Sequence, residues 1–165
     1  MKTTNPDLIY EMRDSLKCGV SEVFKTMLAL EARSTSIIAE WHAPGEMLVA
    51  SSVGFTGDVN GVVYMHVTAG FARTLACHML GLAEAELDGD EMVNDVIGEL
   101  NNMIVGCAKS RLCDAGSLCV LTIPSIVRGQ SFQIEPGRGM CQHRLLAFRC
   151  GENRILIQLL MECST

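Results

Sequence analysis

The stretch DGDEMVNDVIGELNNMIVGCAKSRL, residues 88–112, carries apolar side chains at Met92, Val93, Val96, Ile97, Leu100, Met103, Ile104, Cys107 and Ala108. At about 100° per residue these positions fill one broad arc, and they predict a single long helix with a core-facing side. Asp88 stands where an N-cap belongs, and Glu91, three residues on, predicts a capping box. The opposite arc holds Asp95, Glu99, Asn102, Gly106 and Lys109, with Gly98 beside them. Each interior glycine costs a helix roughly 0.5–1 kcal/mol relative to alanine. Gly98 and Gly106 therefore mark a surface kept low, either for something that sits close to the acid and the amide or for another element of the same chain.

Working outward from this helix, Thr68 can cap a short helix over 70–80 that Gly81 ends. Before it, residues 47–55 and 62–67 read as strands joined at the hairpin signal Asn60-Gly61. Residues 35–42 read as a further strand, closed by the turn at Pro44-Gly45. The chain opens with a helix to about residue 30: Asn5 is its cap, Pro6 suits its first turn, and Leu8, Ile9, Met12, Leu16, Val20, Val23, Phe24, Met27 and Leu28 form its apolar stripe. On the far side, residues 117–127 read as a strand interrupted at Pro124, a feature of sheet edges and bulges, with 130–135 as its continuation. Residues 145–150 and 155–161 form a terminal hairpin around Gly151-Glu152-Asn153.

The order is helix and three strands, a short helix, then helix and three strands. It predicts one α+β domain over residues 1–165, with its core from about 6 to 162. Long helices pack on an antiparallel sheet built from two pseudo-symmetric halves.

A chain of 165 residues with 48% hydrophobic content can fill a substantial core. No apolar run approaches the ~20 residues that span a bilayer, and the opening residues lack the apolar segment of a signal peptide. A cytoplasmic protein with no membrane partner is expected. The net charge of −6, the lack of a basic run and the few aromatics exclude the usual nucleic-acid binders. The eight cysteines form no CxxC, and neither Cys141-x-His143 nor Cys77-His78 makes a metal-ligand set. With Cys77, Cys107 and Cys119 at core-like positions, the cysteines read as reduced core filler.

Asp95-x-x-x-Glu99-x-x-Asn102 followed by Gly106 resembles the signature of the CheC/CheX/FliY family of chemotaxis phosphatases. The surroundings agree. A three-strand meander with a return at Gly61-Val-Val-Tyr-Met precedes a short helix, then the signature helix, then Thr122-Ile-Pro-Ser-Ile-Val-Arg-Gly129. The chain is most similar to the CheX branch, over roughly residues 6 to 162. The helix holds a second Glu-x-x-Asn, Glu91-x-x-Asn94, but Leu87 stands where the preceding acid belongs. CheC-type relatives carry a second signature in the other half. Here the first helix offers Ser15-x-x-Cys18, so one site per chain is expected.

The resemblance implies hydrolysis of the aspartyl phosphate on a CheY-like response regulator in chemotaxis or a related two-component pathway. It implies that Glu99 pairs with a lysine of the receiver and that Asn102 orients the attacking water, with Asp95, Gly98 and Gly106 as supporting positions. It implies no cofactor bound by this chain, Mg²⁺ on the partner receiver, and a twofold homodimer with sheets joined across the boundary. Residues 155–161, more apolar than a solvent-facing terminal strand, fit such a boundary. The alternative is a non-catalytic regulator-binding domain related to flagellar-switch proteins. A small-ligand sensor lined by Trp41 and the ten methionines is a third reading.

Overall fold

Leu8, Ile9, Met12, Leu16, Val20, Val23, Phe24 and Leu28 share one buried stripe, so the first apolar pattern folds as helix α1 (Leu8–Leu28). The computed structural model describes residues 7–37 and 39–162, so the expected cap Asn5 and Pro6 lie outside the described residues. The chain continues through β1 (Arg33–Thr35), β2 (Leu48–Gly57), β3 (Gly61–Thr68) and α2 (Ala69–Leu80). After a short 3-10 turn (Glu84–Glu86) come α3 (Gly89–Asp114), β4 (Cys119–Leu121), β5 (Ser125–Gly129), β6 (Met140–Cys150) and β7 (Asn153–Glu162).

The strands form one antiparallel sheet in the order β1-β6-β7-β3-β2-β4, with β5 also paired to β2. The hairpins β2–β3 and β6–β7 meet at the centre through β3 and β7. Each half then lends its first strand to the other half's hairpin: β1 pairs with β6, while β4 and β5 pair with β2. The twofold rhythm of the sequence is thus a twofold rhythm of the sheet. One count differs, because Pro124 splits the second half's first strand into β4 and β5.

Alternation decides which face is core. Val49, Val53, Phe55, Val63, Met65, Val67, Ile155, Ile157 and Leu159 point toward the helices and are buried with the stripes of α1 and α3. β7 is therefore a central strand. Its apolar run is buried within the subunit and offers no dimer surface, which corrects the expectation placed on residues 155–161.

Three local expectations also change. The strand expected over 35–42 is only Arg33–Thr35, because β1 is an edge strand and leaves the sheet before Trp41. Residues 130–135 do not continue β5. Asp88 makes no side-chain cap bond; its own backbone, at φ −90 and ψ 75, lacks the extended conformation of a capping residue, and Gly89 follows with φ +73. The helix caps at Thr68, whose side chain accepts from Phe71 N–H, and at Gly81 with φ +65 are as expected. Cys18, Cys77, Cys107, Cys113, Cys119 and Cys150 are free thiols, whereas Cys141 is disulfide-bonded, so reduced filler does not describe it. No described helix is long and apolar enough to cross a membrane.

On the second face of the sheet the loop residues Trp41, Phe132 and Ile134 lie over a polar chain across β3, β7 and β6. Gln158 Nε2 donates to Ile134 O at 2.9 Å and contacts His143 Nε2 at 3.2 Å, which turns Gln158 Oε1 toward His66 Nε2, also at 3.2 Å. With that amide orientation His66 Nε2 donates and His143 Nε2 accepts. His66 stacks on Phe132 at 5.8 Å and meets the edge of Trp41 at 6.5 Å. Burial pushes the His66 imidazole below its ordinary value of 6.5, against the opposing pull of the Gln158 bond. The unfolded chain therefore binds this proton more readily than the folded one. The stability His66 gives is fully present above pH of about 6.5 and is lost as pH falls from there through the lower folded value. Thermal melts from pH 7.5 to 5 should show a falling Tm, with a shallower fall in His66→Gln. Equal slopes in the two proteins would rule out His66 as the source.

Candidate active site on helix α3

Helix α3 lies over the sheet and beside α1, and its two sides are set by what each packs on. Val93, Ile97, Leu100, Ile104, Val105, Ala108 and Leu112 are buried. Asn101 shares their side and is fully buried. Its Nδ2 donates to Ser51 O at 3.0 Å and to Val63 O at 3.2 Å, tying the helix to β2 and β3. Turning the amide over would set its oxygen against two carbonyl oxygens, so this orientation is the stable one.

Asn102, about 100° further round the helix, is only half-buried and has no hydrogen-bond partner among the described residues. Asp95 and Glu99 are exposed, and neither has an ion-pair or hydrogen-bond partner among the described residues. Spacings of three and four residues place the trio on one strip, with neighbouring Cβ atoms about 5–6 Å apart. Gly106 extends the strip, and a Cβ there would meet nothing within 4 Å. Asp95, Glu99, Asn102 and Gly106 thus come together as expected. Gly98 does not join their open surface. It is buried, and a Cβ there would stand 3.3 Å from Pro124 Cβ and 3.8 Å from Ile126 Cδ1. Close packing therefore accounts for Gly98 and open space for Gly106.

The edge strand forms one wall of the strip. Arg128 Nε donates to Asn94 Oδ1 at 2.6 Å, and Arg128 Nη1 lies 3.4 Å from Asp90 Oδ1. These contacts pin the end of β5 to the start of α3, while Pro124 seats on Gly98 further along. On the other side α1 rests on the backbone of α3, where a Cβ at Gly19 would come within 2.9 Å of Ile104 O. The equivalent positions of α1 hold no acid–amide pair, since Ser15 is buried and Cys18 is exposed.

Exposed Glu91, Asp95 and Glu99 make the strip acidic, and Arg128 answers only Asp90 nearby. A ridge of this kind leaves a small molecule in water. It suits a partner whose own cleft receives the helix and brings a cation. Among the described residues, no group of three or more His, Cys, Asp or Glu is placed to hold a metal ion.

Residues 49–146, which contain the whole of α3 and the β5 wall beside it, match the family model described as Chemotaxis phosphatase CheX. The chain belongs to the CheX family. It is similar to the CheY-P phosphatase CheX of Thermotoga maritima, at 25% identity over 118 residues, covering 71% of this chain and 75% of that protein. The crystal structure of chemotaxis protein CheX from Vibrio vulnificus is similar with a TM-score of 0.76 at 26% identity, covering 92% of this chain and 97% of that one. The Borrelia burgdorferi chain from the CheX-CheY-BeF3-Mg²⁺ complex shares the CheX fold, with a TM-score of 0.71 at 19% identity over 96% of this chain and 100% of that one.

Asn101 is the residue that sequence reasoning passed over. It stands four residues after Ile97 and three before Ile104, inside the apolar stripe, and that spacing was the available signal.

Proposed function

We infer that this CheX-family chain hydrolyses the aspartyl phosphate of a CheY-like response regulator. The observation that carries the reading is the strip itself: Asp95, Glu99 and Asn102 are held on an exposed helix face with no partner of their own among the described residues. An acyl phosphate is already reactive, so the task is to place a water in line with phosphorus. The Asn102 carboxamide can accept from that water through its oxygen or donate to it through its NH₂. Glu99 pairs with a lysine of the receiver, a charge-assisted contact that sets the docking angle. Asp95, one turn earlier, supports the same contact. The phosphoryl group, the lysine and Mg²⁺ belong to the receiver, in keeping with the CheX-CheY-BeF3-Mg²⁺ composition of the Borrelia complex. A substrate of this kind places the protein in the cytoplasm. Release of phosphate from each phosphorylated receiver of the same organism, with and without the protein, tests the reading. One receiver should lose phosphate faster, and no acceleration with any of them would refute it.

A twofold homodimer with one Asp95/Glu99/Asn102 site per subunit belongs to the same reading. The strands open to a second chain are the sheet edges, β1 on one side and β4 with β5 on the other. The strip stands on the helical face beside the β4–β5 edge, so pairing through β1 leaves it uncovered. Light scattering should give about twice 17.9 kDa. A mass near 17.9 kDa at micromolar concentration would contradict the dimer and leave the phosphatase reading intact.

A further inference from the structure

The break between β4 and β5 holds an isoleucine in water. Ile123 is 88% exposed, the highest value of any large hydrophobic residue described. It is not on a loose loop. On one side Thr122 N–H donates to Gly54 O at 2.9 Å, and Gly54 N–H donates to Thr122 Oγ1 at 2.8 Å. On the other side Pro124 is seated on Gly98. The edge strand runs antiparallel to α3, with Arg128 beside Asn94 and Pro124 beside Gly98. Residue 123 therefore lies alongside the next turn of the helix, the one carrying Glu99 and Asn102.

We propose that Ile123 is a docking anchor for the receiver domain, forming an apolar lip beside the acidic strip. This rests on the phosphatase reading for its occupant, and two observations favour that occupant. Ile123 immediately precedes Pro124, which is seated on Gly98, the residue before Glu99 in the strip the receiver must cover. The strip also offers Asp95 and Glu99, uncompensated among the described residues, to a partner that brings a lysine and a metal cation beside its phosphoryl group. Backbone already held on both sides of the residue loses little freedom on binding. Complete burial of an isoleucine corresponds to about tenfold to a hundredfold in affinity. An anchor at the rim of the chemistry adds to the binding of substrate and transition state alike, so its loss raises KM and spares kcat.

The test compares wild type, Ile123→Asp, Ile123→Ala and the control Ile37→Asp. Ile37 is 52% exposed and follows β1 at the opposite sheet edge. Each protein is titrated with the cognate receiver held in its beryllofluoride–Mg²⁺ form, and phosphate release is followed over a range of phosphorylated receiver. Ile123→Asp should raise Kd and KM by about tenfold or more, Ile123→Ala by less, and Ile37→Asp should raise neither; kcat should stay within about twofold throughout. Unchanged Kd in Ile123→Asp overturns the anchor. So does an Ile123→Asp protein that light scattering shows has changed its oligomeric state, since the lip would then serve a second copy. A wild type that binds the receiver without speeding phosphate loss would sink the phosphatase reading, and a raised Kd for Ile123→Asp would then still support the anchor.

Discussion

Asn102→Ala is expected to slow phosphate release by about 10²-fold or more while receiver affinity changes little. The expectation follows from what the side chain touches in the free protein. Asn102 has no hydrogen-bond partner among the described residues, so its removal leaves the fold undisturbed and takes away only a group that acts on the reacting water. Glu99→Gln is the complementary variant. It keeps the shape of Glu99 and removes the charge, so it should weaken receiver binding by about 1.5–3 kcal/mol, the worth of a charge-assisted contact. Raised salt should weaken the wild type in the same direction. Single-turnover phosphate release and titration calorimetry separate the two effects. Near wild-type turnover in Asn102→Ala, or unchanged affinity in Glu99→Gln, would remove the role assigned to that residue.

How much of this was legible in the sequence depends on the range of the interaction involved. Helical periodicity is local, and it located α1, α2 and α3 together with the side of α3 that carries Asp95, Glu99 and Asn102. The capping chemistry at Thr68 and Gly81 is local too and stands where expected; the hairpin signalled by Asn60-Gly61 forms, but Gly61 itself opens β3 opposite Phe55 and the turn lies before it. Sheet order is not local. Nothing in the apolar run 155–161 distinguishes a central strand from a dimer edge. Its place follows from pairing with β3 about a hundred residues earlier, from Gly61 opposite Met161 to His66 opposite Leu156. The same holds for Gly98. A glycine beside an acid on a helix is compatible with an open surface or a packed one, and the choice is made by Pro124, which only the tertiary fold brings to it. The short β1 and the loops over His66 likewise depend on neighbours distant in the chain.

The adjacent asparagines carry this distinction furthest. Asn101→Ala is expected to destabilise the protein by about 2–4 kcal/mol, with Asn102→Ala close to neutral in stability. Asn101 is fully buried, and its Nδ2 serves two strand carbonyls, Ser51 O at 3.0 Å and Val63 O at 3.2 Å. Alanine deprives both buried acceptors of that donor and opens a void against well-packed neighbours. Asn101→Leu separates the two contributions, because leucine fills the space and removes only the two side-chain bonds; about half the loss should remain. The bond also has a bearing on function. One residue of helix is about 100° of rotation, so fixing Asn101 on the sheet is what turns Glu99 and Asn102 outward. Loss of turnover in Asn101 variants should therefore accompany the loss of stability, with receiver affinity falling as well. Urea melts that gave Asn101→Ala the stability of wild type would show that α3 is held by its apolar stripe alone.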